Sequence, residues 1–185
     1  MHDAAPTLIV IDMQNCMADP AAGARNNPQA EDRIAALLAH WRARGAPVVH
    51  VRHISRSAQS GFAPGQRGAA FQPRFLPLDH EHVVEKNVPD AFIHTGLERW
   101  LHVRGITRLV LTGVSTNHSV ESTARSAGNL GFDASVAADA TFAFAQTDHG
   151  GTPRSAEDVH AMSLANLDGE YARVVSSAHL LAALA

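Results

Sequence analysis

The sequence predicts an α/β fold, in which a doubly wound, six-stranded, mainly parallel sheet has helices on both faces, as in a Rossmann-like three-layer sandwich. Continuous apolar runs such as Thr7–Asp12 lack the alternation of half-exposed strands and are typical of strands buried on both faces. These runs alternate along the chain with stretches of helical periodicity, which favours parallel strands joined by helices. The length of 185 residues suits one domain spanning residues 1–185.

The first strand–helix unit is well marked. Thr7–Asp12 ends in a carboxylate, and Asn27 followed by Pro28 predicts a helix cap and a first helical residue. Gly45 predicts the end of that helix, and residues 47–51 form the second strand. The apolar face of the helix comprises Ile34, Leu37, Leu38 and Trp41.

The middle of the chain is less regular. Residues 54–80 are rich in Gly and Pro and lack periodicity, which in a compact domain indicates a lid, a binding loop or an oligomer contact. Residues 82–85 predict a short third strand with Lys86 at its end. Thr95 and Glu98 have the spacing of a capping box for a helix that ends near Gly105.

The next unit predicts a strand over residues 108–112, a tight turn at Gly113 and a helix capped by Asn117. Ser119 falls in the first turn of this helix, beside the backbone N–H groups of a helix N-terminus. The apolar stripe of the helix comprises Val120, Ala124, Ala127 and Leu130, with Gly131 after its end.

The remainder predicts a fifth strand over residues 134–138 that ends at Asp139, and then a polar loop over residues 146–154. Ser155 and Asp158 have capping-box spacing for a helix carrying Val159, Met162 and Leu164, which Gly169 ends. Residues 171–175 predict the sixth strand, and Ser177 caps a short final helix.

Composition and missing motifs exclude several classes of function. The formal net charge of -3 gives no electrostatic basis for binding nucleic acid or an anionic membrane. No apolar run approaches the roughly 20 residues that span a bilayer, and the N-terminus lacks a basic leader. The single cysteine, Cys16, precludes an intramolecular disulfide and indicates a reducing cytoplasm. No GxGxxG or GxxxxGK[ST] motif is present, so we expect no dinucleotide or nucleotide cofactor.

Three residues whose side chains could take part in hydrolysis follow three predicted strands. They are Asp12, Lys86 and, one turn further on, Ser119. Lys86 is the only lysine, against fourteen arginines, and an ammonium is a compact charge that a guanidinium does not replace. Because the carboxyl ends of parallel strands meet at one edge, the sequence predicts a hydrolytic site there for a small-molecule substrate.

These residues lie in blocks that resemble the isochorismatase-like, or cysteine, hydrolases. The blocks are VIDMQN, VRH, EKNVPDAFIHTGL, GVSTNHSVESTAR and AADATF, in that order. The resemblance implies catalytic roles for Asp12, Lys86 and Ser119, a cis peptide at Val114–Ser115, and an oxyanion hole formed by the backbone N–H groups of Ser115 and Ser119. It also implies a homodimer or larger homo-oligomer. The residues predicted to bind the substrate are Gln14, Arg52, His53, Phe92, Asn117 and His118. Loop anchoring stays open as the alternative for Arg52 and His53, and a solvent or interface role for His118.

The chain departs from the family pattern at the nucleophile, since most members have Cys where this chain has Ser119. A hydroxyl needs an adjacent base where a thiol ionises easily, so the reaction type stays open. One possibility is hydrolysis of a C–N amide-type bond. A second is hydrolysis of an enol ether, in which the aspartate protonates the substrate and water attacks. A third is a catalytically inactive ligand-binding homologue.

Cys16 follows a different strand from Ser119 and is interpreted as a small buried residue, not as a substitute nucleophile. Nicotinamidases of the family bind a divalent metal through an Asp-x-His pair after the second strand. Here His53 has no carboxylate near it before Asp79. We therefore expect no metal and no cofactor, and activity that survives chelation.

Overall fold

The computed structural model describes residues 5–183 and contains the predicted six-stranded parallel sheet. Residues 1–4 and 184–185, which the single-domain prediction includes, lie outside the described part. The helices are Ala30–Ala43 (α1), Leu97–Val103 (α2), Glu121–Asn129 (α3), Ala156–Leu167 (α4) and Ser177–Ala183 (α5). The strands are Thr7–Ile11 (β1), Val48–His53 (β2), His82–Lys86 (β3), Arg108–Val114 (β4), Asp133–Phe142 (β5), Gln146–Thr147 (β6), Pro153–Arg154 (β7) and Arg173–Val175 (β8).

The strand order of the sheet is β3-β2-β1-β4-β5-β8, with all neighbours parallel. The chain moves outward from β1 to β3 and then returns to place β4 on the other side of β1. Such a reversal opens a crevice at the carboxyl ends of the strands on either side of it. The topology therefore directs the ends of β1 and β4 to one site.

Helices cover both faces of the sheet, as predicted. Alternate residues of β1 point to opposite faces, so Leu8 and Val10 pack against α1 and α5 while Ile9 and Ile11 pack against the other helices. The stripe predicted on α1 is buried in full. Among residues 5–183, no helix combines the length and apolar character that a membrane crossing requires.

Two predicted helix starts are wrong. α1 begins at Ala30, because Asn27 has a left-handed φ of 45° and its amide Nδ2 donates to the carbonyls of Ala138 and Thr141. The Thr95–Glu98 capping box does not form, because the Thr95 hydroxyl oxygen accepts the N–H of Leu97 at 3.2 Å and not that of Glu98. α2 instead begins after Gly96, which has no side chain to cap it.

The helix that follows β4 also differs from the prediction. A π-helical turn, Thr116–Val120, precedes α3, and Asn117 lies inside this turn and does not cap it. Leu130 is 39 % exposed and leaves the predicted stripe, whereas Val120, Ala124 and Ala127 are buried. Ser119 is thus presented by an irregular turn between strand and helix.

In the last third of the chain, β5 extends to Phe142 and so contains Asp139, and the polar loop folds into the antiparallel β6–β7 hairpin. The Ser155–Asp158 capping box is confirmed. Met162 is 64 % exposed, so it is not part of the core face of α4. Ser176 takes the capping role predicted for Ser177, since its hydroxyl accepts the His179 N–H.

The end of the 54–80 segment is anchored by Glu81, whose side chain is 2 % exposed. Arg42 of α1 donates two hydrogen bonds to its carboxylate, and His50 of β2 and the Leu78 N–H donate one each. Burial alone would raise the pKa of Glu81, but these hydrogen bonds outweigh it and lower the pKa from 4.5 to about 2.

Glu81 therefore predicts a specific loss of stability in acid. The folded protein binds the Glu81 proton more weakly than the unfolded chain, so the stabilisation is complete above pH 4.5 and disappears as the pH falls towards 2. In denaturant titrations across this range, the free energy of unfolding of wild type should fall by up to roughly 3 kcal/mol as Glu81 is protonated. Glu81→Gln lacks this contribution at every pH and should not show the fall. Asp79→Asn, at an exposed neighbour, is the control. If the free energies of unfolding of wild type and Glu81→Gln change with pH in parallel, Glu81 is not the source of the acid sensitivity.

Candidate active site

The structure brings Asp12, Lys86 and Ser119 together at the carboxyl edge of the sheet. Lys86 Nζ donates to Asp12 Oδ2 at 2.7 Å and to Ser119 Oγ at 3.1 Å. Ser119 Oγ in turn donates to Asp12 Oδ2 at 2.6 Å. These three contacts form a closed triangle of charge-assisted hydrogen bonds, which we call the triad.

All three side chains of the triad are buried, with exposures of 3 % for Asp12, 3 % for Lys86 and 7 % for Ser119. Burial raises the pKa of Asp12, although the Lys86 charge and the hydrogen bonds from Lys86 and Ser119 oppose it. Both hydrogen bonds fall on Oδ2, and no group within residues 5–183 bonds the buried Oδ1. The site thus holds a carboxylate with one saturated oxygen and one free oxygen.

The backbone at the ends of β1 and β4 is irregular. Asp12 has a φ of 52°, a left-handed conformation that is uncommon for a residue other than glycine. Gly113 lies at a register shift in β4 with a φ of 117°, and a Cβ there would lie 2.0 Å from the Ile11 carbonyl oxygen. Only glycine permits this approach. The peptide bond Val114–Ser115 that follows is cis.

Gln14, which the resemblance assigned to substrate binding, is fully buried and committed to the backbone. Its Nε2 donates to the carbonyls of His53 and Ala69 at 2.9 and 2.8 Å, and its Oε1 accepts the His53 N–H at 2.7 Å. This uses both donors and the acceptor of the amide. Gln14 therefore joins the end of β2 to the 54–80 segment and has no free polar atom for a substrate.

Two further predicted contacts point away from the triad. Arg52 pairs with Glu85, its register neighbour on β3, on the face of the sheet opposite to His53 and Lys86. Phe92 is 8 % exposed and stacks on Phe132 within the core, with ring centroids 5.7 Å apart. Their substrate-binding roles remain predictions.

The other predicted substrate contacts lie nearer. His53 is the register neighbour of Lys86 and packs edge-on against Phe62 of the 54–80 segment. Burial and the Lys86 charge lower the pKa of His53, which favours a neutral imidazole. Asn117 hydrogen-bonds Gln146 at 3.3 Å, and His118 is exposed to solvent.

The 54–80 segment packs over this edge of the sheet. Phe75 is fully buried, and a cavity of about 630 Å³ opens between residues 54–58, Pro64 and residues 85–87. Cys16 lies under the segment, and burial raises the pKa of its thiol to about 11. A thiol with that pKa stays protonated at neutral pH and is a poor nucleophile.

No group of three or more His, Cys, Asp or Glu side chains within residues 5–183 is arranged to hold a metal ion. Independence from metal remains a prediction, to be tested by activity after chelation.

Residues 6–179 match the model of the isochorismatase domain. The chain belongs to the isochorismatase family. The isochorismatase family protein YrdC of Bacillus subtilis is 38 % identical over 174 residues, which are 94 % of this chain and 93 % of that protein. An isochorismatase-family protein from Chromobacterium violaceum, known from its crystal structure, is 53 % identical, with a TM-score of 0.96 and coverage of 100 % of this chain and 95 % of that one.

Members of the isochorismatase family are hydrolases, and the chain is one of them. Maleamate amidohydrolase of Pseudomonas putida is 28 % identical over 187 residues, or 92 % of this chain and 83 % of that protein. The family match thus agrees with the hydrolase expected from the sequence.

Sequence reasoning missed the residues that hold the π-helical turn. Thr116, the first residue of the turn, is bonded by His160 and Ser163 of α4, and Asn27 lies 3.4 Å from His160. The only signal for them was the capping box that predicted α4. Nothing in the pattern indicated which face of α4 meets the turn.

Gln14 generates a stability prediction. Gln14→Leu keeps a similar volume but removes the hydrogen bonds to two part-buried backbone groups of His53 and to the buried Ala69 carbonyl, which alone costs about 1–3 kcal/mol. We expect a lower free energy of unfolding and faster limited proteolysis within residues 54–80. Gln59→Leu, at an exposed amide in the same segment, is the matched control. A Gln14→Leu protein that unfolds like wild type but has a higher KM would instead support substrate contact.

Proposed function

We propose that this isochorismatase-family protein hydrolyses a C–N amide-type bond of a small molecule, with Asp12 as the proton-transferring group. The observation that supports this most is the asymmetry of the Asp12 carboxylate. Lys86 and Ser119 both occupy Oδ2, and Oδ1 has no partner within residues 5–183. A carboxylate held in this way can take a proton from an attacking water at Oδ1 while Oδ2 keeps it in place.

The proposed reaction adds water across the bond. Water attacks the carbonyl carbon and gives one proton to Asp12 Oδ1, and Asp12 then passes this proton to the leaving nitrogen as the C–N bond breaks. The raised pKa of Asp12 suits a group that must both accept and release a proton. We assign the backbone N–H groups of Ser115 and Ser119 to the developing oxyanion, because donors aimed at such a charge are often the largest contribution to catalysis.

In this proposal Ser119 replaces the family's nucleophilic cysteine and acts by holding Asp12. Its hydroxyl proton points at Oδ2, which already accepts a hydrogen bond from Lys86. A nucleophilic Ser119 would have to transfer its proton to that saturated oxygen. The proposal therefore assigns the attack to water and not to Ser119.

A second candidate is hydrolysis of an enol ether. The raised pKa of Asp12 favours it, since a protonated Oδ1 could deliver a proton to the double bond before water attacks. The two candidates use the same residues and differ in substrate. The expected homo-oligomeric state and cytoplasmic location remain predictions.

Substitution of the triad tests the proposal on a panel of small amides and enol ethers. Asp12→Asn and Lys86→Met should each reduce kcat by about 10³-fold or more. Loss of a general acid or base typically costs about 10²–10⁴-fold. Ser119→Ala should keep measurable turnover, with a loss of about 10²-fold at most. Ser135→Ala, at a buried serine on β5 outside the triad, should match wild type.

Other outcomes would overturn parts of the proposal. If Ser119→Ala is as inactive as Asp12→Asn and mass spectrometry detects an acyl adduct on Ser119, the serine is the nucleophile. If only enol ethers are converted, the second candidate is correct. If wild type converts no compound of either class but binds some of them, the protein is a ligand-binding homologue.

A further inference from the structure

The turn that carries Ser119 is held from outside by α4. Thr116 is fully buried, and its hydroxyl lies 2.8 Å from His160 Nδ1. Its carbonyl oxygen lies 3.0 Å from the Ser163 hydroxyl, whose single proton is shared with the Glu121 carboxylate at 2.7 Å. His160 and Ser163 both come from one face of α4, three residues apart. The first residue of the turn is thus tied to a neighbouring helix through its side chain and its backbone.

The His160 ring is buried next to residues that are bonded to β5. It is 4 % exposed, and its Nε2 side faces the Asn27 amide. Asn27 Nδ2 lies 3.4 Å from His160 Nε2 and donates to the carbonyls of Ala138 and Thr141. The Thr116 hydroxyl donates to Nδ1 in the neutral tautomer that carries its proton on Nε2. The ring therefore lies between Asn27, which is bonded to β5, and the turn.

We propose that His160 is a positioning residue for the reaction: through Thr116 it sets the turn that aims the Ser119 hydroxyl at Asp12 and Lys86. The triad distances of 2.6 and 3.1 Å at Ser119 depend on the placement of this turn. A displacement of about 1 Å at a site of this kind can reduce the rate about 10²-fold. The expected change in kcat rests on the proposed function. The placement of Ser119 by His160 does not.

Two replacements of His160 separate its two ring nitrogens. In His160→Asn the amide oxygen can take the place of Nδ1 and accept the Thr116 hydroxyl, whereas in His160→Gln the amide takes the place of Nε2 and the contact with Thr116 is lost. We expect kcat to fall about 10²-fold in His160→Gln with little change in KM, and to recover largely in His160→Asn. Thr116→Val should reproduce the loss, and its combination with His160→Gln should add little.

Leu167→Ala controls for general destabilisation of α4, because Leu167 is fully buried on the same helix and its apolar side chain makes no hydrogen bond to Thr116. It should lower the melting temperature at least as much as His160→Gln and leave kcat unchanged. If kcat falls in proportion to stability in both variants, or if His160→Asn is as impaired as His160→Gln, His160 is only structural and the inference is wrong.

A measurement without substrate separates this inference from the proposed function. In a Cys16→Ser, Ser119→Cys background, the pKa of the introduced thiol can be titrated by the ultraviolet absorbance of the thiolate. Adding His160→Gln should shift that pKa, because the sulfur moves relative to the Asp12 and Lys86 charges, and adding Leu167→Ala should not. A thiol pKa unchanged by His160→Gln would overturn the inference even if turnover is found. A shifted pKa supports it even if no compound on the panel is hydrolysed.

Discussion

The rest of the site depends on the contact between the Lys86 ammonium and the Asp12 carboxylate in the buried crevice. A buried carboxylate without a partner is costly, and breaking a buried ion pair by removing one member typically costs about 3–5 kcal/mol. Lys86 also donates to Ser119, so one cation holds both other members of the triad. An arginine guanidinium is larger and planar, so its charge could not contact both Asp12 and Ser119 as the compact ammonium does. This agrees with the presence of a lysine here in a chain that otherwise has only arginines, fourteen of them.

Hydrogen bonds between distant parts of the chain position this contact. Gln14 ties the end of β2 to the 54–80 segment beside the triad, and Asn27 ties the start of α1 to β5. Gly113 allows β4 to approach β1 closely just before the turn that carries Ser119. The sheet therefore supplies the approximate positions, and a small set of buried amides and hydroxyls supplies the precision that proton transfer needs.

The convergence of Asp12, Lys86 and Ser119 was predictable because it follows from strand polarity alone: polar residues at the ends of parallel strands meet at one edge. The roles of Gln14 and Asn27 were not, because their hydrogen-bond partners lie 39–114 residues away, and no local pattern records such pairings. Thr95 does not form the predicted capping box because its hydroxyl oxygen accepts the N–H of Leu97 and not that of Glu98, a local choice that spacing does not reveal.

The single lysine allows a direct test of the central claim that a buried ammonium links the carboxylate and the hydroxyl. Protein labelled with ¹⁵N only at lysine should show one side-chain ammonium resonance at neutral pH, slow to exchange with water because Lys86 is buried. We predict that Asp12→Asn and Ser119→Ala each shift this resonance, whereas Ser135→Ala does not. A resonance broadened by solvent exchange as in a free lysine, or one that neither triad substitution moves, would contradict the account.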